Sequence, residues 1–228
     1  MAASSEGADG PRTRLLKEDL LGRVERVDSS DGSWVRRDPS AAPRPLRPLA
    51  RHLVRRELRA LDRLAGLEGF PAPARLDPRG RLWRPWLPGR PLQEGGAGDP
   101  DFHARLLRRV AAMHHRSVTH DDLAKEPNVL VLDDGAPALV DFQLARVHRR
   151  RGAWFRLLAR EDLRHVLKHK RTWCPTALTP RERALLARPS WAARLWRWTG
   201  KRLYLFVTRR LLGWADREGA GDRGAARS

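Results

Sequence analysis

Cysteine, acidic residues and long apolar runs are all scarce in this chain, and each shortage excludes something. Cys174 is the single cysteine among 228 residues, which rules out an intramolecular disulfide framework and any zinc site built from several thiolates. One thiol suits a reducing compartment. No apolar stretch approaches the roughly 18 residues of a membrane-spanning helix, and the opening MAASSEGADGPRTR lacks the apolar centre of a secretory signal. The expectation is a cytoplasmic protein, with a peripheral position at the inner membrane face left open. Acid is outnumbered, 27 carboxylates against 46 Lys and Arg, for a net charge of +19. Such an excess steers a molecule toward phosphate-bearing partners at long range. Because a G- and C-rich genome inflates Arg together with Ala, Gly and Pro, the charge alone does not select among nucleic acid, anionic membrane and nucleotide.

Hydrophobic content is ordinary at 41%, enough for one sizeable core or two small lobes. Residues 1–12 are small and polar and predict a mobile segment. From Leu20, LLGRVERV, the turn-like DSSDGS and WVRR read as two strands joined by a short loop. Ala41 to Pro48 holds three prolines and predicts an extended connector. Leu53, Val54, Leu58, Leu61 and Leu64 then fall on one helical face that ends at Gly66. Arg81 to Leu87 is a strand candidate. Asp101 is the expected cap of a helix through His115 whose face is Leu106, Leu107, Val110, Ala111 and Met113. His114 and His115 are adjacent, so they point to different helix faces, and metal ligation by them is not expected. One or two helices follow Trp154. Thr179-Pro180-Arg181-Glu182 has the makings of a capped helix start. Trp191 to Trp214 predicts an imperfectly amphipathic helix, apolar through Trp196, Leu203, Tyr204, Val207, Leu211 and Trp214 and basic through Arg194, Arg197 and Lys201. It could pack on the core or lie at an anionic lipid interface. Residues 215–228 predict a mobile tail.

The most informative stretch is HDDLAKEPNVLVLDDGAPALVDFQLA, from His120 to Ala145. Val129 to Leu132 and Ala138 to Val140 are short apolar runs around Asp133-Asp134-Gly135, a sequence suited to a tight hairpin turn. A hairpin there carries Asn128 at one end and Asp141 at the other. An amide oxygen and a carboxylate on neighbouring strand ends can share a hard cation such as Mg²⁺, and Asp122 lies just upstream, free to face a hydroxyl.

These residues resemble the catalytic unit of the protein-kinase-like fold. His120-Asp121-Asp122-Leu123 is similar to the H-R-D-L loop, Asn128 to its metal-binding Asn, and Asp141-Phe142-Gln143 to the D-F-G segment. Among relatives the chain looks nearest to the small bacterial RIO-like and lipopolysaccharide (Kdo) kinase-like group. The resemblance runs from about Leu20 to Ala145, and it implies an α+β, compact two-lobed protein-kinase-like fold. Residues 13–90 would form a reduced β-containing N-lobe and residues 91–214 a mostly helical C-lobe. It implies ATP and Mg as cofactors, Asp122 as the group that orients the acceptor hydroxyl and takes its proton, and Lys125 as a charge neutralising the moving phosphoryl group. Asn128 and Asp141 would be the metal ligands, and His120 a support for the loop.

The chain departs from the pattern in three places. Asn128 stands one residue further from Asp122, Gln143 replaces glycine, and the strand position of the usual lysine falls to Arg36, with Arg37 as the other register. No glycine-rich loop is visible. Glu57, in the first long helix, occupies the place of the family's ion-pair glutamate, and backbone groups from Arg84 to Leu87 would meet the adenine edge. The acceptor expected is a Ser/Thr hydroxyl of a protein. The alternatives are a sugar hydroxyl on an anionic glycolipid and a non-catalytic nucleotide-binding pseudokinase. Nucleic acid binding is not expected, because the basic residues come with no aromatic stacking motif.

Overall fold

The structure, a computed structural model, describes residues 11–95 and 98–187. Its architecture is mixed α+β. Strands β1 (Arg12–Asp19), β2 (Gly22–Ser29) and β3 (Gly32–Asp38) form a meander, joined after α1 (Arg47–Leu64) by β4 (Arg75–Leu76) and β5 (Leu82–Pro85). They make one five-stranded antiparallel sheet of order β1-β2-β3-β5-β4. Below it follow β6 (Gly89–Pro91), the single turn α2 (Leu92–Gly95), α3 (Pro100–His115), β7 (Val118–Thr119), β8 (Val129–Leu132), β9 (Pro137–Leu139), β10 (Arg146–Val147), α4 (Ala153–Trp173) and α5 (Pro180–Ala187). Two small sheets, β6-β8-β9 and β10-β7, stitch the loops of this part together. No helix among the described residues is long and apolar enough to cross a membrane.

Strand alternation decides what the large sheet offers to the rest of the molecule. The registers Val24↔Arg37 and Arg26↔Val35 in one pair, and Val35↔Arg84 and Arg37↔Leu82 in the next, put these residues on one face. Val35, Arg37, Leu82 and Arg84 there are buried. The other face carries Glu25, Trp34, Arg36 and Trp83. Gly22 opens β2 at φ +119°, where a Cβ would also collide with the Asp38 carbonyl oxygen, so the tight β1–β2 turn depends on glycine.

The expected connector at residues 41–48 is not extended. Pro39–Ala41 and Arg44–Leu46 are short 3₁₀ turns, and α1 begins at Arg47 with Pro48 in its first turn. Proline is well tolerated there because the first amides of a helix have no intrahelical partner. Helix α1 buries Leu53, Val54, Leu61 and Leu64 as its spacing predicts, with Glu57 on the same face. Asp99, not Asp101, caps α3: its carboxylate accepts from the Asp101 amide, and Pro100 takes the first helical position. One contiguous core joins Leu61 and Leu64 of α1, Phe70, Leu106, Val110 and Met113 of α3, Leu123, Val129, Leu139, Phe142 and Val166 of α4. Burial of each such side chain contributes about 1.5–3 kcal/mol. The loop and hairpin that carry the polar residues of interest therefore rest on the best-packed part of the molecule.

Arg12, expected at the end of a mobile segment, opens β1, while residues 1–10 lie outside the described residues. So do the expected helix from Trp191 to Trp214 and the tail 215–228.

Candidate functional site

The hairpin forms between β8 and β9, with Val129 opposite Leu139 and Leu130 opposite Ala138. One further bond, from the Val140 amide to the Asn128 carbonyl at 3.0 Å, extends the ladder past Val129. Asn128 and Asp141 are thereby brought to the same end. Asp141 has φ 61° and ψ 66° and leads into a 3₁₀ turn at Phe142–Leu144. Asp121, in the loop before β8, also has positive φ, at 65°. Aspartate tolerates the left-handed region better than most residues, and both irregularities flank the polar cluster.

Asn128 is buried, and its Nδ2 donates to the Asp122 carbonyl oxygen at 2.9 Å and to Asp122 Oδ2 at 3.1 Å. Two acceptors on Nδ2 fix the amide orientation, which turns Oδ1 away from Asp122. Lys125 Nζ lies 3.0 Å from the same Asp122 oxygen. Asp122, Lys125 and Asn128 are thus one contact group, with Asp141 alongside. Asn128 Oδ1 and an Asp141 carboxylate oxygen fit a hard cation that takes one or two protein oxygens and completes its shell with water and phosphate. Among the described residues no group of three or more His, Cys, Asp or Glu could cage a metal alone.

Asp141 reaches across to the large sheet. Arg37 Nη2 donates to Asp141 Oδ1 at 3.1 Å, and Arg37 Nη1 donates to Gln143 Oε1 at 3.0 Å. Arg37 Nε lies 3.1 Å from Glu57 Oε2, and Arg84 Nε lies 3.4 Å from Glu57 Oε1. Glu57 is fully buried. Two guanidinium groups and two carboxylates thus balance, with Arg37, Arg84 and Glu57 buried and Asp141 at the rim, its side chain 32% exposed. An unpaired charge in the buried part would cost several kcal/mol. Burial works against the Asp141 charge. Arg37 foremost, then Arg84, His120 and Lys125, outweigh it and hold the carboxyl below its ordinary range. Burial likewise opposes the Arg37 charge, and Glu57, Asp141 and Asp19 more than restore it.

The expectation for Arg36 is corrected by this geometry. Arg36 pairs with Glu25 Oε2 at 2.8–2.9 Å on the opposite face of the sheet, its guanidinium 5.4 Å from the Trp83 ring centre. Successive strand residues face opposite sides, and the β2–β3–β5 register turns Arg37 inward. The expected backbone donors near the last strand also change: the Trp86 amide is committed to the Ser33 carbonyl at 2.9 Å. Arg26, on the inward face, lies 4.7 Å from the Trp86 ring centre and pairs with Asp28 at 2.8 Å.

Sequence reasoning missed the residue that holds the loop. Asp162 of α4, 1% exposed, accepts from the His120 amide at 2.9 Å and the Asp121 amide at 3.1 Å, and its Oδ2 lies 3.0 Å from His114 Nε2. A signal existed: Phe155, Ala159, Asp162, Val166 and His169 form one buried stripe, and a lone acid in such a stripe must find donors. His169 adds a bond to the Leu123 carbonyl at 2.8 Å. His120 is a support, its Nε2–H donating to the Val140 carbonyl at 2.9 Å and its ring 4.6 Å from that of Phe142. Asp121 meets Arg146 Nε at 2.7 Å. Burial and then Asp162 push the Asp121 carboxyl upward, against Thr119 and Arg146. Neither a scan against protein-family models nor a search of curated proteins finds a match for this chain.

Proposed function

We propose that the chain is an ATP- and Mg²⁺-dependent kinase with a reduced, two-lobed protein-kinase-like fold. In this reading the large sheet with α1 is the N-lobe and the remainder the C-lobe, and a γ-phosphoryl group passes to a hydroxyl, with Ser/Thr of a protein as the acceptor. The observation that carries the reading is the convergence of Asp122, Lys125, Asn128 and Asp141 at one end of the β8–β9 hairpin, joined through Arg37 to Glu57. Four polar residues from two chain segments meet there, and the link through Arg37 to Glu57 keeps charge in the interior, which structure alone does not require.

Within this proposal Asp122 accepts the proton of the incoming hydroxyl, as a carboxylate at hydrogen-bond reach can. Asn128 positions Asp122 through its Nδ2 bonds, and Asn128 Oδ1 with Asp141 would hold Mg²⁺. The ion would supply neutralisation of phosphate charge. Lys125, 63% exposed at its side chain, can swing from Asp122 to the transferring group as a flexible point charge. Arg37 takes the role of the absent lysine, a fixed planar cation between Glu57 and the phosphate position.

A second reading, a nucleotide-binding pseudokinase, is favoured by a specific observation. Arg37 already binds both Asp141 and Gln143, and Arg26 lies over Trp86 on the inward face of the sheet. Turnover with radiolabelled ATP separates the two, using purified protein with soluble and membrane extracts, with and without Mg²⁺. Label on a soluble protein supports the protein acceptor, and label in the membrane lipid fraction moves the acceptor to a glycolipid. Mg²⁺-dependent nucleotide binding without any transfer supports the pseudokinase.

A further inference from the structure

A second polar site lies beside the first, and where the first balances its charges this one is lined by cations. About two turns of α1 present His52, Arg56 and Arg59 along one face, at intervals of four and three residues. Arg146 of β10, His148 just after it and Trp154 in the first turn of α4 complete a cavity of about 370 Å³, within the size range of small-molecule sites. No carboxylate lines it.

The cations are held in place rather than left to splay. Arg56 Nε donates to the Ala145 carbonyl at 2.7 Å and Arg59 Nε to the Arg55 carbonyl at 3.2 Å. Arg146 Nε is fixed on Asp121, with its guanidinium 5.7 Å from the Trp154 ring centre. His148 Nε2 lies 2.9 Å from Thr119 Oγ1. Arg56, Arg59, Arg146 and His148 each spend part of their hydrogen-bonding capacity on the fold while lining the cavity. Gathering like charges has a cost: burial and then Arg146 work against the Arg56 charge, with Asp121 only partly compensating.

A further arginine-lined cavity, beside α3, differs in its counter-charge. Arg105 and Arg108 there lie 3.0 and 4.0 Å from Asp101, and Arg109 lies 3.8 Å from Glu68. Those three arginines have two carboxylates, Asp101 and Glu68. The α1–β10–α4 cavity has one, Asp121, shared by Arg146 at 2.7 Å and Arg56 at 3.9 Å, and among the described residues no carboxylate is paired with Arg59. From this difference we propose that the α1–β10–α4 cavity is a binding site for a phosphomonoester group, whose charge and three acceptor oxygens match converging guanidinium forks. Trp154, 55% exposed at the mouth, offers an aromatic face to whatever the phosphate is attached to. The site stands apart from the phosphoryl-transfer reading, since none of Asp122, Lys125, Asn128 and Asp141 lines it. A coupling is built in, because the Arg146 that would meet the ligand also holds Asp121, next in sequence to Asp122.

Calorimetric titration of the full chain with inorganic phosphate tests the site. The expected result is one saturable site per chain, weakened about tenfold or more in the His52→Gln/Arg59→Gln double variant and by less than about twofold in Arg108→Gln. His52 and Arg59 are exposed, so the double variant should fold. Circular dichroism checks this, and Arg59→Gln alone is read if it does not. A parallel arm uses phosphatidylcholine vesicles doped with phosphatidic acid or with phosphatidylglycerol. Preference for phosphatidic acid that the double variant loses assigns the phosphate to a lipid headgroup. Phosphate binding in solution without that preference assigns it to a soluble ligand. Equal weakening by Arg108→Gln and the double variant would reduce the binding to net charge and overturn the site, as would no saturable binding in either arm.

Discussion

Arg36 and Arg37 are neighbours with different fates, and the difference has a measurable size. Arg37 is 8% exposed and touches Glu57, Asp141 and Gln143. Replacing it by Ala leaves Glu57 in a dry interior with Arg84 as its remaining cation, and loss of one partner of a buried ion pair costs about 3–5 kcal/mol. Arg36 has a more accessible pair with Glu25, and such pairs contribute at most about 1 kcal/mol. Urea unfolding should therefore separate Arg37→Ala from Arg36→Ala by several kcal/mol, and comparable midpoints would contradict the buried network. Arg37→Lys should recover only part of the loss, since one ammonium cannot reach a carboxylate on each side and the Gln143 oxygen at once.

At the scale of elements, one aspartate on α4 positions the whole His120–Asp122 loop. Asp162→Ala strands two backbone amides and His114 in the interior, and unsatisfied buried donors cost about 1–3 kcal/mol each. The expected loss is about 3 kcal/mol or more in a denaturant melt, and a change below about 1 kcal/mol would mean that water replaces the carboxylate. The β4–β5 turn has a device of the same type. Asp77 accepts from the Arg79 and Arg81 amides, Arg81 Nε and the Trp83 indole. Burial would raise its carboxyl, but the Arg81 amide, Trp83 and the Arg81 side chain hold it at about 2. Because the folded value lies below the ordinary one, its contribution is complete above about pH 4 and is lost as pH falls through about 2. After allowance for screening it amounts to about 1–2 kcal/mol. Unfolding at about pH 6 and about pH 3 should show the gap between wild type and Asp77→Asn narrowing at the lower pH.

What was legible in the sequence follows the reach of the interactions. The hairpin turn is local and reads correctly, with Gly135 at φ 74°. So does the start of α5, where the Thr179 amide donates to Glu182 Oε2 and the Glu182 amide to Thr179 Oγ1. Strand β1 is not legible, because its residues from Arg12 to Glu18 are all exposed and show no apolar alternation. The choice between Arg36 and Arg37 needs the partner strands, since a slip of one residue exchanges the faces. Asp162 lies 42 residues from the His120 amide that it binds, a pairing that no local pattern encodes.

For the molecule as a whole, the decisive question is whether the polar network at the β8–β9 hairpin end opens to admit a nucleotide. A ligand that binds only the folded chain stabilises it by mass action, about 2.7 kcal/mol at 100 times its Kd. For a chain of this length that corresponds to a rise in Tm of roughly 5–10 °C. MgATP should produce such a rise, ATP with a chelator much less, and Asp141→Asn should lose most of the Mg²⁺-dependent part. On the proposed kinase reading, Asp122→Asn should keep the rise while phosphoryl transfer falls about 10²-fold or more, because a residue in the role of proton acceptor acts on the reaction and not on nucleotide affinity. Loss of both together would make Asp122 a support for Asn128, through the bonds that join them. The remaining outcome concerns Arg37. If MgATP raises Tm in the wild type and no extract yields a labelled product, the bonds from Arg37 to Asp141 and Gln143 are the natural cause. Gln143→Gly removes one of them and should then increase the MgATP-induced shift; an unchanged shift would show that Arg37 does not restrain the site.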